Sequence, residues 1–109
     1  MTKYITPPYR GECTLEKEGG GNEKRIHQNC ICINSDKEIC KTFCDQDVSC
    51  KGYTEHTQEQ KCQIATTSKC PSGCNQTNNN SFGDLRWKND DTESTDWLCF
   101  VKEKGSSSL

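Results

Sequence analysis

Aliphatic and aromatic side chains are scarce in this sequence: Leu, Ile, Val and Phe together supply 15 of its 109 residues. A chain that poor in apolar groups cannot offset the entropy of ordering by burial alone, and such a composition usually excludes a stable fold. Long hydrophobic runs are missing too. No stretch approaches the roughly 18–20 apolar residues that a bilayer span requires. Met1-Thr2-Lys3-Tyr4-Ile5 leads directly into Pro7-Pro8, with no apolar core of a signal peptide. The sequence therefore reads as a mature fragment with an added Met, and Gly105–Leu109 as an appended linker. A strong basic excess is also lacking. The net charge is −2 and the isoelectric point about 5.7, which argues against a nucleic-acid or heparin partner. Small basic groups such as Lys24-Arg25 and Lys102-Glu103-Lys104 read as solvated surface.

What the chain has instead is cysteine, 10 residues of 109. That density belongs to small disulfide scaffolds, in which cross-links substitute for a large core. The count is even, so every cysteine can pair, and pairing requires an oxidising compartment. The expectation is a secreted or cell-surface domain. Ten cysteines allow on the order of a thousand connectivities, and spacing alone does not choose among them.

Local patterns give one short helix among strands, an α+β domain. Residues 1–12 read as an extended lead-in, 13–102 as the domain and 103–109 as a disordered tail. Glu12–Glu16 and Asn29–Asn34 alternate as strands do, and in the second Cys30 and Cys32 share one face while Ile31 and Ile33 share the other. Ser35-Asp36-Lys37-Glu38 has the form of a capping box, and Asp36 and Glu38 place negative charge where the helix dipole favours it. The predicted helix runs from about Asp36 to Asp45. Its inner stripe is Ile39, Cys40, Phe43 and Cys44. Strands follow at Ser49–His56 and Lys61–Ile64, joined by the hairpin loop Thr57–Gln60. Cys70–Cys74 is a turn. Trp97–Val101 is apolar on both faces and reads as the central strand.

Cys40-Lys41-Thr42-Phe43-Cys44, then Cys50-Lys51-Gly52-Tyr53, Cys62-Gln63-Ile64 and the closing Cys99-Phe100-Val101 resemble the PAN/apple domain family. The resemblance covers roughly Cys13 to Lys102. It implies an antiparallel sheet wrapped around one short helix, and bridges Cys13–Cys99, Cys40–Cys62 and Cys44–Cys50. In the chain-entropy description the first of these closes a loop worth about 4–5 kcal/mol. Cys30, Cys32, Cys70 and Cys74 fall outside that pattern and are expected to pair among themselves. Either Cys70 joins Cys74 and Cys30 joins Cys32, or the two segments are cross-stitched. A Cys-x-Cys bridge is strained, which favours cross-stitching. The resemblance further implies an extracellular module that binds carbohydrate or another protein through its loops.

His27, Cys30, Cys32, Cys70 and Cys74 fit no common zinc spacing, and disulfides account for every cysteine, so no metal is expected. Asp84, Asp90, Asp91, Glu93 and Asp96 lack the spacing of a calcium loop and read as a solvated acidic stretch. His27 and His56 are the only histidines. No nucleophile elbow, zinc-protease motif or phosphate loop accompanies them, so neither catalysis nor a cofactor is expected. His56 reads as an exposed polar residue at a strand end. Asn75-Gln76-Thr77 and Asn79-Asn80-Ser81 are acceptor sequences for N-glycosylation at Asn75 and Asn79. Phe43, Tyr53, Trp97 and Phe100 occupy core-like positions. Trp87, between Arg86 and Lys88 in an irregular insert, suits stacking on a sugar or anchoring a protein. That trio, with the Asn75–Asn80 loop beside it, is the expected contact surface, and glycan or extracellular protein the expected partner. Two alternatives are a stand-alone secreted signal or toxin-like ligand, and an acidic matrix component acting through Asp90–Asp96 on calcium.

Overall fold

A computed structural model describes residues 2–11, 13–16, 30–33, 36, 38–76, 86–89 and 96–103. Its elements in chain order are β1 (Tyr9–Arg10), β2 (Cys13–Glu16), β3 (Cys30–Ile33), α1 (Glu38–Gln46), β4 (Gly52–His56), β5 (Lys61–Ala65), β6 (Cys74–Gln76), β7 (Arg86–Asn89) and β8 (Trp97–Val101). Six strands form an antiparallel sheet in the order β1-β8-β4-β5-β3-β6, and β2 pairs with β7 in a separate antiparallel ribbon. The domain is α+β, with a helix on one side of the sheet and the ribbon tethered on the other.

The helix begins with help from Asp36, the residue after the serine expected to cap it. Asp36 accepts the Glu38 amide on Oδ1 at 3.1 Å and the Ile39 amide on its carbonyl at 3.0 Å, the work of an N-cap. Ser35 lies outside the described residues. Nine residues make a helix too short to persist alone. Two disulfides from its buried face, Cys40–Cys62 and Cys44–Cys50, fix it to the sheet and to the segment entering β4. At its C-terminal end no basic residue lies in the last turn. Lys102 supplies the cation from β8's exit, donating from Nζ to the carbonyls of Cys44 at 2.6 Å and Asp47 at 2.9 Å.

Register sorts the sheet into two faces. Tyr53 lies opposite Ile64 and Phe100, and Cys32 opposite both Cys62 and Cys74. Together with Cys30 these residues face the helix. The core on that side is largely sulfur: Cys30, Cys32, Cys40, Cys44 and Cys62 are 0% exposed, packed around Ile64 and Tyr53. Tyr53 stacks on Phe100 with centroids 4.8 Å apart and meets the edge of Tyr4 at 5.1 Å. The opposite face carries Thr54, His56, Gln63 and Ala65, all buried. There Thr54 Oγ1 accepts the Cys13 amide at 3.1 Å, and the Cys13–Cys99 disulfide joins the ribbon to β8. That bond links two sheets, because Cys13 pairs with Asn89 and Cys99 with Thr54 and Tyr9.

The five disulfides are Cys13–Cys99, Cys30–Cys70, Cys32–Cys74, Cys40–Cys62 and Cys44–Cys50, with no free cysteine. The three bridges that the family resemblance implies, Cys13–Cys99, Cys40–Cys62 and Cys44–Cys50, are among them. The remaining four residues are cross-stitched, so that the segment after β5 is bound to β3 at two points.

Three expectations need correction. The lead-in is part of the sheet: β1 adds an edge strand, Tyr4 bridges to Lys102, and the Ile5 and Glu103 amides donate to Val101 and Lys3 carbonyls at 2.8 Å. Pro7 and Pro8 prevent a longer ladder but not these flanking bonds. Strand β8 is not central; β4 and β5 are, and only the two-residue β1 lies beyond β8. Its two-sided apolar character has a different cause, since Phe100 faces the helix side while Cys99 receives the ribbon. Finally, Trp87 stands in a regular strand and not in an irregular insert. Residues 104–109 of the expected tail lie outside the described residues.

Candidate functional site

The ribbon carries the expected contact residues. Its register sets Arg86 opposite Glu16, Trp87 opposite Leu15 and Lys88 opposite Thr14. Strand alternation puts Trp87 in phase with Cys13, whose sulfur is bonded to the main sheet, and Arg86 and Lys88 in the other phase. The Arg-Trp-Lys backbone is thus held by three successive cross-strand pairs, and a fourth, Cys13 with Asn89, carries the disulfide to the main sheet. Such support suits a recognition surface, which gains when its anchor residues are ordered before binding.

Asn75, the other half of the expected surface, is exposed on β6, opposite Ile31. β6 is the edge strand farthest from β1, whereas the ribbon's tether is on β8, next to β1. Residues 77–80 of that loop lie outside the described residues, but Asn75 itself and the ribbon are not on neighbouring strands. The cross-stitching is the reason: Cys70 and Cys74 draw the start of the insert to β3. Asn79, Asp84, Asp90, Asp91, Glu93 and His27 lie outside the described residues. Asp96 is exposed, and its carbonyl accepts the Thr57 amide at 2.8 Å.

Sequence reasoning missed a second cluster, on the sheet face opposite the helix at the β4–β5 hairpin end. His56 is 8% exposed, not a surface residue as expected. Its Nδ1 accepts the amides of Gln58 at 3.1 Å and Glu59 at 2.9 Å, which ties the hairpin loop to the strand and leaves the neutral ring's proton on Nε2. The imidazole meets Trp97 edge to face at 4.8 Å. Lys61 Nζ lies 5.2 Å from the Trp97 ring centroid and donates to Glu59 Oε2 at 2.8 Å. That bond and the lysine's charge hold the Glu59 carboxyl below its usual range. Ile33, opposite Lys61 in register, is 54% exposed. The signal was present in the alternation of β3, β4, β5 and β8, which puts Ile33, His56, Lys61 and Trp97 on one face. The cross-strand order that aligns them is not readable from spacing.

On the helix side Tyr4 Oη donates to Asp45 Oδ1 at 2.6 Å, and Lys41 Nζ donates to Asp45 Oδ2 at 2.9 Å. Burial, then the Asp45 carboxylate, push the Tyr4 phenol well above its ordinary range, and the Asp45 bond raises Lys41. Asp47 is the hub of a hydroxyl network. It accepts from Ser49 Oγ at 3.1 Å, Ser68 Oγ at 3.1 Å, Thr66 Oγ1 and the Ser49 amide. These groups cap and connect; their partners are other parts of the scaffold.

Three sulfurs, of Cys32, Cys40 and Cys62, lie within 4.8 Å of one another. All three are in disulfides, so the trio offers no thiolate to a metal ion. Among the described residues no helix is long and apolar enough to cross a membrane. Set against known proteins, the chain matches no family model, no curated protein and no solved structure.

Proposed function

We propose that this chain is an extracellular recognition module of the PAN/apple type, which holds glycan or protein ligands on the β2–β7 ribbon and performs no catalysis. The observation that supports the reading most is the pairing of all ten cysteines around one short helix and an antiparallel sheet. That framework fits an oxidising compartment and gives a rigid base for a separate ribbon bearing Arg86, Trp87 and Lys88. Trp87 on one face of the strand supplies a stacking group, and Arg86 and Lys88 on the other supply charged donors, two kinds of contact that suit sugars and protein hot spots alike.

A glycan array and a saturable pull-down from the native extracellular fluid separate the two ligand classes. On whichever ligand is retained, Trp87→Ala is expected to weaken binding by about 2 kcal/mol or more, as removal of a central anchor does. Non-reducing peptide mapping of the variant must still show the five native disulfides. Unchanged binding removes the ribbon as the contact site, and no saturable ligand of either class overturns the recognition reading.

A further inference from the structure

The Cys32–Cys74 and Cys40–Cys62 disulfides are in contact. Cys32 Sγ lies 3.7 Å from Cys40 Sγ, and Cys62 Sγ is within 4.8 Å of both. The two ends of Cys32–Cys74 differ in access. Cys32 is 0% exposed in the core, whereas Cys74 is half-buried on the edge strand β6. Cys40 and Cys62 are each 0% exposed. A thiol in solvent therefore reaches one bond of this pair from outside and the other only through it.

We propose that Cys74 is a site of S-thiolation at which a small thiol starts an internal disulfide relay. The attacking thiolate forms a bond to Cys74 Sγ and breaks the Cys32–Cys74 bond. The electron pair of that bond leaves on Cys32 as a thiolate, and Cys74 becomes a mixed disulfide with the small thiol. The Cys32 thiolate, freed to turn about its Cα–Cβ bond into line with the Cys40–Cys62 bond, then attacks Cys40 Sγ, 3.7 Å from its position in the intact pair. A Cys32–Cys40 bond forms, the Cys40–Cys62 bond breaks, and Cys62 leaves as the new thiolate, protonated in turn. Each step is a two-electron displacement at sulfur with no net oxidation or reduction beyond exchange with the added thiol.

Geometry sets the direction of the relay. Attack at Cys74 makes the buried sulfur the leaving group, and that sulfur is the one beside Cys40. Cys70 is the other half-buried cysteine, but attack there frees Cys30, whose bond is to a different partner. The outcome of the relay is to move a clamp of the helix from β5 to β3, because Cys40–Cys62 joins α1 to β5 and Cys32 lies on β3, while β6 loses its tie at Cys74. The inference rests on the sulfur positions and is independent of what the ribbon binds.

The test uses the native chain with a limiting amount of reduced glutathione, followed by quenching with an alkylating agent and non-reducing peptide mapping. In singly glutathionylated material the expected pattern is glutathione on Cys74, a Cys32–Cys40 cross-link and alkylated Cys62. Glutathione on Cys74 with alkylated Cys32 and an intact Cys40–Cys62 bond overturns the relay. Cleavage of Cys40–Cys62 ahead of any change at Cys74 overturns the site. A Cys74→Ser variant reads the second step alone, since it leaves Cys32 unpaired beside Cys40. It is expected to show the Cys32–Cys40 bond with a free Cys62 and no added thiol. Persistence of Cys40–Cys62 with a wholly free Cys32 sinks the proposal independently of the first experiment.

Discussion

The two faces of the six-stranded sheet are closed by different means. The helix side holds four of the five disulfides, and its interior is cysteine around Ile64 and Tyr53. The opposite side has a single disulfide, Cys13–Cys99, over a face that buries Thr54, Gln63 and His56. On the first side sulfur supplies both packing volume and covalent constraint, which a nine-residue helix needs. On the second, buried polar groups are tolerated because they are bonded, as Thr54 is to the Cys13 amide and His56 to two loop amides. With so few aliphatic residues to distribute, cross-links and satisfied polar groups divide the work of a core.

Removing cross-links tests that division most severely. In the chain-entropy description, stabilisation grows with the loop closed. The sequence separations are 86 for Cys13–Cys99, 22 for Cys40–Cys62 and 6 for Cys44–Cys50. Double Ser substitution is expected to cost about 4–5, about 3 and about 2 kcal/mol in that order, read from urea unfolding. The lone bond on the sulfur-poor face is then the most valuable. If loss of Cys40–Cys62 costs more than loss of Cys13–Cys99, sulfur packing and not chain entropy governs the helix side.

Backbone placement gives the next effects. At Gly52, where β4 meets β8, an added Cβ would overlap the Phe100 carbonyl oxygen and lie 3.2 Å from Val101 Cα. Neither contact is with a flexible group, so Gly52→Ala should destabilise by about 1–3 kcal/mol through strand displacement. Gly73 is the contrasting case. It sits at the third position of the Pro71–Cys74 turn with φ of 89°, closed by the Cys74 amide donating to the Pro71 carbonyl at 3.1 Å. Nothing lies within 4 Å of an added Cβ. Gly73→Ala should therefore cost only the left-handed backbone, about 1 kcal/mol. Equal losses at the two glycines would mean that the central strands yield as readily as an exposed turn.

Much of this arrangement was legible beforehand, for identifiable reasons. Helix period put Cys40 and Cys44 on one face, and strand period did the same for Cys30 and Cys32, because side-chain direction follows from backbone geometry alone. The acidic pair Asp36 and Glu38 marks the helix start, and Asp36 accepts its first amides. What spacing did not contain was the order of strands. Cys13 and Cys99 belong to different sheets, and the β2–β7 ribbon brings together residues 13–16 and 86–89 across a long stretch of chain. Such pairing depends on non-local register, which no short window encodes. The same limit hid the alignment of His56, Lys61 and Trp97, and put Trp87 in an irregular insert.

Acid should loosen the helix side at Asp47 before it disturbs the opposite face. Burial alone would raise the Asp47 carboxyl, but hydrogen bonds from Thr66, Ser49 and Ser68 outweigh it and lower the pKa below the ordinary value of 3.8. The folded state thus binds this proton more weakly than the unfolded chain does. The stabilisation is fully present above the unfolded pKa and is lost as pH falls through the lower, folded one. Solvent screening at this partly exposed carboxylate keeps the amount to about 1 kcal/mol or less. Urea midpoints measured from near-neutral pH down to about pH 2 should decline at the acid end, and Asp47→Asn should flatten that part of the curve. Thr54, the hydroxyl that accepts the Cys13 amide on the other face, does not titrate, so Thr54→Val should lower stability by the same amount at every pH. An acid decline that survives Asp47→Asn would assign the sensitivity to other carboxylates and remove the hydroxyl network as the acid-labile joint.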